Sequence, residues 1–295
     1  MTDQKLIELV TQAVLAQLAG QPPAAPAQQP AAPAQQPAAE ETEPLVDITD
    51  KAHKMAINIE HPVNRDALEQ MKTKTPARIG VGKAGPRLKT ATMLTLRADH
   101  AIARDAVFRD VDEQVLSDLN LFSVQTLCTE RNEHLTRPDL GRQFSPETIN
   151  QLKSKCESAP TVQIYVCDGL SSQAVDANAR DVLPALMDGL KGYGIQTGTP
   201  FFVKFGRVPA MDVISEALGA QVTCVLIGER PGLATADSMS AYIAYKATVG
   251  MPEARRTVVS NIHKGGIPAV EAGAHIATVI KTMLERKASG VDLQM

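Results

Sequence analysis

Tryptophan is absent from this chain, and aromatic residues together make up only 3% of it. The core must therefore be built from aliphatic side chains, which suits an α/β sheet covered by helices. Cysteine is scarce as well. Cys128, Cys156, Cys167 and Cys224 show no Cys-x-x-Cys spacing, so the pattern gives no support to a zinc site or a thiol redox pair. Buried free thiols in a reducing cytosol are expected instead of disulfides. Basic charge is not in excess either: 30 Lys and Arg against 33 Asp and Glu leave a net charge of −3, which argues against a nucleic-acid binder. No apolar run approaches the roughly 20 residues that span a bilayer, and no basic segment leads into a continuous apolar stretch, so no secretory signal is expected. What is present is a chain of 295 residues, 44% of them hydrophobic, enough for two domains with proper cores.

Four segments are expected. In residues 1–20, Leu6, Val10, Ala13, Val14 and Leu18 recur at helical spacing and predict a short amphipathic helix. A lone helix of this length is marginal in water and needs a partner surface. With Lys5 its one basic residue, it does not suit a membrane surface. Residues 21–44 are rich in Pro, Ala and Gln, with PAAPAQQ repeated back to back from Pro23 and Pro30. Such a segment cannot bury a core and reads as a disordered, semi-rigid tether. Residues 45–150 read as a small helical domain. Asn64 is placed to cap one helix, an apolar stripe runs through Met93, Leu96, Ile102 and Val107, and Ser145-Pro146-Glu147 opens another helix with a cap, a first-position proline and an acid. Residues 151–295 switch to strand–helix alternation. Strands are predicted at 161–166, 201–205, 221–227 and 257–259, and helices at about 172–191, through Ile214 and Leu218, and at about 268–287. The stretch holding Tyr242 and Tyr245 is expected to be irregular. Alternation of this kind implies right-handed crossovers and a mostly parallel, Rossmann-like sheet.

The strand 221–227 ends in Gly228-Glu229-Arg230-Pro231-Gly232, and the last one ends in Ser260-Asn261-Ile262-His263-Lys264-Gly265-Gly266. Ligands of open α/β sheets sit at the carboxyl ends of strands, which makes Glu229, Arg230, Ser260, Asn261 and His263 site candidates. Equally, Arg230 could pair with Glu229 while Pro231-Gly232 merely turns the chain. Gly80-Val81-Gly82-Lys83-Ala84-Gly85 matches a dinucleotide-binding glycine pattern literally. However, only Ile79 precedes it, Pro86 follows at once, and no ribose-binding acid comes after a second strand, so a loop packing on a partner is expected. Asp99 and His100 are adjacent, and helical neighbours point apart, so a structural or interface role is expected there. No nucleophile elbow surrounds Ser171 or Ser172, and no residue is assigned a catalytic or metal-binding role.

Several long blocks occur in one order: Arg78 to Arg87, Leu96-Arg97-Ala98-Asp99-His100-Ala101, Val166 to Ser171, Gly228 to Leu233 followed by Asp237-Ser238 and Ala241-Tyr242, and Ser260 to Ala272. Over roughly residues 45–295 the chain resembles the small (light) subunit of ethanolamine ammonia-lyase. The resemblance implies a lyase that uses adenosylcobalamin to convert ethanolamine to acetaldehyde and ammonia. It implies a large-subunit partner, as six copies of each chain, that holds the substrate, while this chain contributes to the cofactor interface. It further implies packaging in a bacterial microcompartment within the cytoplasm, with Leu6, Ile7, Val10, Val14 and Leu18 docking on shell or cargo. Glu229 and Val208 match family positions that contact cobalamin. Val258 matches a third, where some members carry Cys. Asn261 to Gly266 imitates the Asp-x-His-x-x-Gly motif that replaces cobalamin's lower base, but Asn stands in place of Asp and the chain ends too soon for the later motif elements, so His263 is not expected to bind cobalt. The two other classes considered are a microcompartment cargo adaptor and a free-standing nucleotide-dependent α/β enzyme.

Overall fold

A computed structural model describes residues 47–293; the predicted N-terminal helix and the Pro/Ala/Gln-rich tether lie outside the described residues. Elements follow in chain order. Helix α1 (Lys51–Met55) and helix α2 (Arg65–Lys74) come first, the latter capped as predicted by Asn64, which accepts from the Ala67 amide at 2.9 Å. A two-residue hairpin, β1 (Lys83–Ala84) and β2 (Arg87–Leu88), leads into the long helix α3 (Thr90–Phe108) and the short α4 (Glu113–Asp118). Strand β3 (Phe122–Gln125), α5 (Arg131–Thr136) and α6 (Pro146–Lys155) follow, with Ser145 capping α6. Then come β4 (Val162–Cys167), α7 (Ser172–Gly192), β5 (Phe201–Lys204), α8 (Ala210–Leu218), β6 (Val222–Gly228), β7 (Met239–Tyr245), β8 (Thr257–Ile262) and α9 (Ala269–Arg286).

Six strands form one sheet in the order β3-β5-β4-β6-β7-β8. The first four are mutually parallel, whereas β7 runs antiparallel to both neighbours. The protein is therefore α/β with a mostly parallel sheet. Strands β4 and β6 are buried along their whole length, as expected when helices cover both faces. On one face Ile164, Val166, Cys224 and Leu226 pack against α7 and α9. On the other Tyr165, Val203, Val225 and Ile227 pack against α6 and α8. Each fully buried Val, Leu or Ile contributes about 1.5–3 kcal/mol, and no tryptophan is needed to fill either layer. Helices α7 and α9 lie close because Gly273 has no side chain: a Cβ there would meet the Val182 carbonyl oxygen at 2.7 Å and the Ala185 methyl at 2.8 Å.

Two strands depart from expectation. Phe122–Gln125 lies in the stretch read as helical, yet it joins the main sheet as an edge strand beside β5. At four residues it is too short for its alternation to stand out from the helical pattern around it. Met239–Tyr245, expected to be irregular, is a fully paired strand. Its Ser240, Ala241 and Ala244 carry weak strand propensity, and pairing between two strands overrides it. All four cysteines are free and buried, and burial pushes the Cys224 thiol up to about 12. No described helix is long and apolar enough to cross a membrane.

Candidate functional site

Strand β4 feeds α7 on one face of the sheet and β5 feeds α8 on the other, so the loops leaving β4 and β5 part at the carboxyl edge. A crevice of this kind is where open α/β sheets usually hold a ligand. Here the chain fills it with its own α5. The Arg131 Nη1 group donates to Asp168 Oδ2 at 3.0 Å, both groups buried. His134, fully buried, reaches the Phe205 carbonyl through Nδ1 and the Gly169 carbonyl through Nε2, each at 2.9 Å. Sequence reasoning missed both residues, because α5 falls outside every strand end that marked the site.

The loop after β5 carries Val208. Phe205, just past the strand, has φ +59°, an outlier for a bulky residue. It is held there by bonds to its carbonyl from Thr126 Oγ1 and His134, both at 2.9 Å, and by the Arg131 guanidinium 4.7 Å from its ring centre. Held backbone strain of this kind concentrates at functional positions. Arg207 anchors the next turn, its amide donating to the Gly141 carbonyl at 2.8 Å and its Nη2 to the His134 carbonyl at 2.6 Å. Val208 is thereby fixed, half-buried, at the margin of the apolar layer that also holds Tyr242.

The other two candidates meet across β6, β7 and β8. Strand β6 ends where its Gly228 passes under the β4–α7 turn, and the Leu170 amide donates to the Gly228 carbonyl at 3.0 Å. Glu229 follows, half-buried, and accepts a hydrogen bond from the Tyr242 hydroxyl at 2.9 Å through Oε1. Its other carboxylate oxygen has no partner among the described residues. Burial, and then the Glu229 charge, push the Tyr242 phenol up to about 12. Tyr242 pairs in register with Val225 on one side and Val258 on the other. The same register continues through Tyr165, Phe201 and Phe122. One row of side chains thus crosses the whole sheet, with the Tyr165 and Phe201 rings stacked at 5.5 Å. Helices cover this row at its centre, but towards β8 it opens: Val258 is 44% exposed. Below it, Arg256 Nη2 reaches both oxygens of Asp212, at 2.9 and 2.7 Å, and ties the start of β8 to α8. Burial pushes the Asp212 carboxyl up, and the Arg256 guanidinium opposes it.

The structure brings Glu229 and Val258 together through Tyr242, a residue the sequence reading left in an irregular stretch. No local pattern marks it; its place follows from pairing between Val225 and Val258, and its hydroxyl reaches along the strand to Glu229. Arg230 does not pair with Glu229. It is exposed and takes part in no ion pair among the described residues. Ser260 is exposed on the outer strand. Asn261, at φ +63°, places its Oδ1 2.8 Å from His263 Nε2, while the Gly265 amide donates to His263 Nδ1 at 3.1 Å. Nδ1 is therefore the acceptor and Nε2 carries the proton. Both ring nitrogens are engaged within one turn, with the Asn261 amide doing the orienting that a carboxylate would do in the motif it imitates. The glycines at 80, 82 and 85 belong to the β1–β2 hairpin and its approach, not to a turn between a strand and a helix. Asp99 pairs with Lys54 and Arg78 and leaves His100 exposed.

A carboxylate with a free oxygen, in line with an exposed valine, can accept from a ligand's N–H donor while Val258 offers it an apolar contact. The family model described as Ethanolamine ammonia-lyase light chain (EutC) matches residues 65–294. The chain is similar to proteins named ethanolamine ammonia-lyase small subunit. It is 64% identical to that of Clostridium tetani over 249 residues, which cover 84% of each chain. It is 59% identical to that of Clostridium perfringens over 248 residues, again 84% of each, and 58% identical to that of Clostridioides difficile over 84% of this chain and 85% of the relative.

Proposed function

The chain belongs to the ethanolamine ammonia-lyase light-chain family, and from that membership we propose that it serves as the small subunit of an enzyme converting ethanolamine to acetaldehyde and ammonia. Its part in that enzyme is to bind and orient adenosylcobalamin against a large subunit that holds the substrate. The cofactor, when bound, supplies the radical chemistry. The observation that carries this reading is the line Glu229–Tyr242–Val258, in which a half-buried carboxylate, fixed by a phenol, is followed across the sheet by the exposed Val258. Glu229 would accept from a corrin amide through its free oxygen. Val258 and Val208 would offer apolar contact and exclude water from the ring. Val258 has no thiol, so its contribution is limited to its methyl groups and backbone. Six copies of each chain, and packaging in a microcompartment through residues 1–20, complete the proposal.

The test is ethanolamine-dependent acetaldehyde formation by this chain co-produced with its large subunit, together with equilibrium cobalamin binding followed by absorbance. Glu229→Ala is expected to weaken cobalamin binding and raise the apparent cobalamin constant while leaving the assembled complex intact. Full activity from the large chain alone would overturn the subunit role, and unchanged cobalamin binding in the variant would remove Glu229 from the interface.

A further inference from the structure

A second site lies in the N-terminal part of the described chain. A cavity of about 210 Å³ is walled by α1, by the end of α2 and the segment after it, by α3, and by Leu233-Ala234 of the loop that carries Glu229. It has room for a small organic molecule. Four Lys and Arg side chains line it (Lys51, Lys54, Lys72 and Arg78) against one carboxylate, Asp99. That carboxylate is already spoken for: Lys54 Nζ sits 2.7 Å from its Oδ1, and Arg78 bonds its Oδ2. Arg78 also donates to the Leu233 carbonyl at 3.2 Å.

Lys72 has no such partner. It is 4% exposed, and its ammonium makes one hydrogen bond, to the Ile79 carbonyl at 2.8 Å. No carboxylate pairs with it among the described residues. A buried ammonium has three donors to satisfy, and leaving its charge uncompensated is unfavourable. Burial accordingly pushes the Lys72 amine down from its usual value. The remaining wall is largely apolar, with Met55, Pro76, Val81 and Leu233 contributing.

We propose that this cavity binds a small carboxylate with a short apolar body, whose charge compensates Lys72 while its stem packs on the apolar wall. The ligand stands apart from the cofactor surface and shares only the loop 229–237 with it. Arg78 and Lys54 add attraction but are largely neutralised by Asp99, so most of the specificity falls on Lys72.

Isothermal titration of the assembled two-subunit complex with sodium butyrate, acetate, inorganic phosphate and butyramide tests this. Butyrate is expected to bind saturably and more tightly than acetate, which lacks the stem, and than phosphate, which lacks any apolar part. Butyramide, isosteric but neutral, is expected not to bind. Lys72→Met keeps the stem of the side chain and removes its charge, and is expected to weaken butyrate by about tenfold or more. Should that variant fail to assemble, the butyrate–butyramide comparison on the unaltered complex still decides. Equal binding of the acid and the amide, tighter binding of phosphate than of butyrate, no saturable heat with any carboxylate, or equal butyrate affinity in Lys72→Met would each overturn the proposal.

Discussion

The candidate cofactor surface depends on one hydroxyl. Tyr242 donates to Glu229 Oε1 and so fixes the carboxylate with its second oxygen turned free. Replacing it by Phe keeps the ring in the row between Val225 and Val258 and removes only the donor. The expected result is a several-fold rise in the cobalamin dissociation constant, read by absorbance titration, with a stability loss of about 1 kcal/mol. The same pair makes a pH signature. The phenol titrates near 10 when unfolded and near 12 in place, so between those values the folded chain binds more protons than the unfolded one. Stability must then fall as pH rises through that window, and the contribution is intact below 10. Urea unfolding of the complex at pH 9 and pH 11 should show a smaller drop in Tyr242→Phe than in the unaltered chain; equal drops would mean the hydroxyl is not held as described. This residue was beyond the reach of sequence reading, since no local pattern marks Tyr242 as a strand residue. Glu229, in contrast, stands at a strand end that the sequence marks, whereas Val208 enters only through the family resemblance.

Among elements, the junction of β6 with the β4–α7 turn decides where Glu229 points. A Cβ on Gly228 would fall inside van der Waals distance of the Ser171 and Asp168 carbonyl oxygens. Gly169, at φ +53°, has the reciprocal problem with the Gly228 carbonyl. Backbone atoms cannot yield as a flexible side chain can, so Gly228→Ala is expected to destabilise the subunit by more than 2 kcal/mol or so and to lower assembly. Gly232→Ala, with nothing nearer than 3.7 Å, is expected to leave the thermal midpoint unchanged. A tolerated Gly228→Ala would show that the turn is free to move. The central strands were legible because a β-branched run buried on both faces leaves few readings. Helices α7 and α9 were legible from their apolar periodicity, and α6 from its cap. Where several strands compete for the same residues, pattern alone fails. The edge strand β3 is too short to declare itself, and β7 is made of small side chains whose strand state comes from neighbours on both sides. The filling of the β4–β5 crevice by Arg131 and His134 is a tertiary event between segments about 35 residues apart, which no local spacing encodes.

At the scale of the whole molecule, every described member of both apolar cores lies at or after Val111, and Asp47–Met295 form one compact unit. The relatives match 84% of the chain, and the family model begins at residue 65. The catalytic partnership proposed above therefore draws on the residues from 47 onward, while the proposed packaging draws on residues 1–20 and their tether. The two roles should separate cleanly. Deleting residues 1–20 and co-producing the shortened chain with its large subunit is expected to leave acetaldehyde formation and cobalamin affinity as they are in the full complex. The same deletion is expected to abolish co-sedimentation of the enzyme with microcompartment shells. Loss of turnover along with shell association would mean that the segment belongs to the working enzyme and not to its address. Retained shell association would move the docking function elsewhere on the complex. Only the first pattern is compatible with a subunit whose chemistry-facing surface and whose address are carried by different parts of one chain.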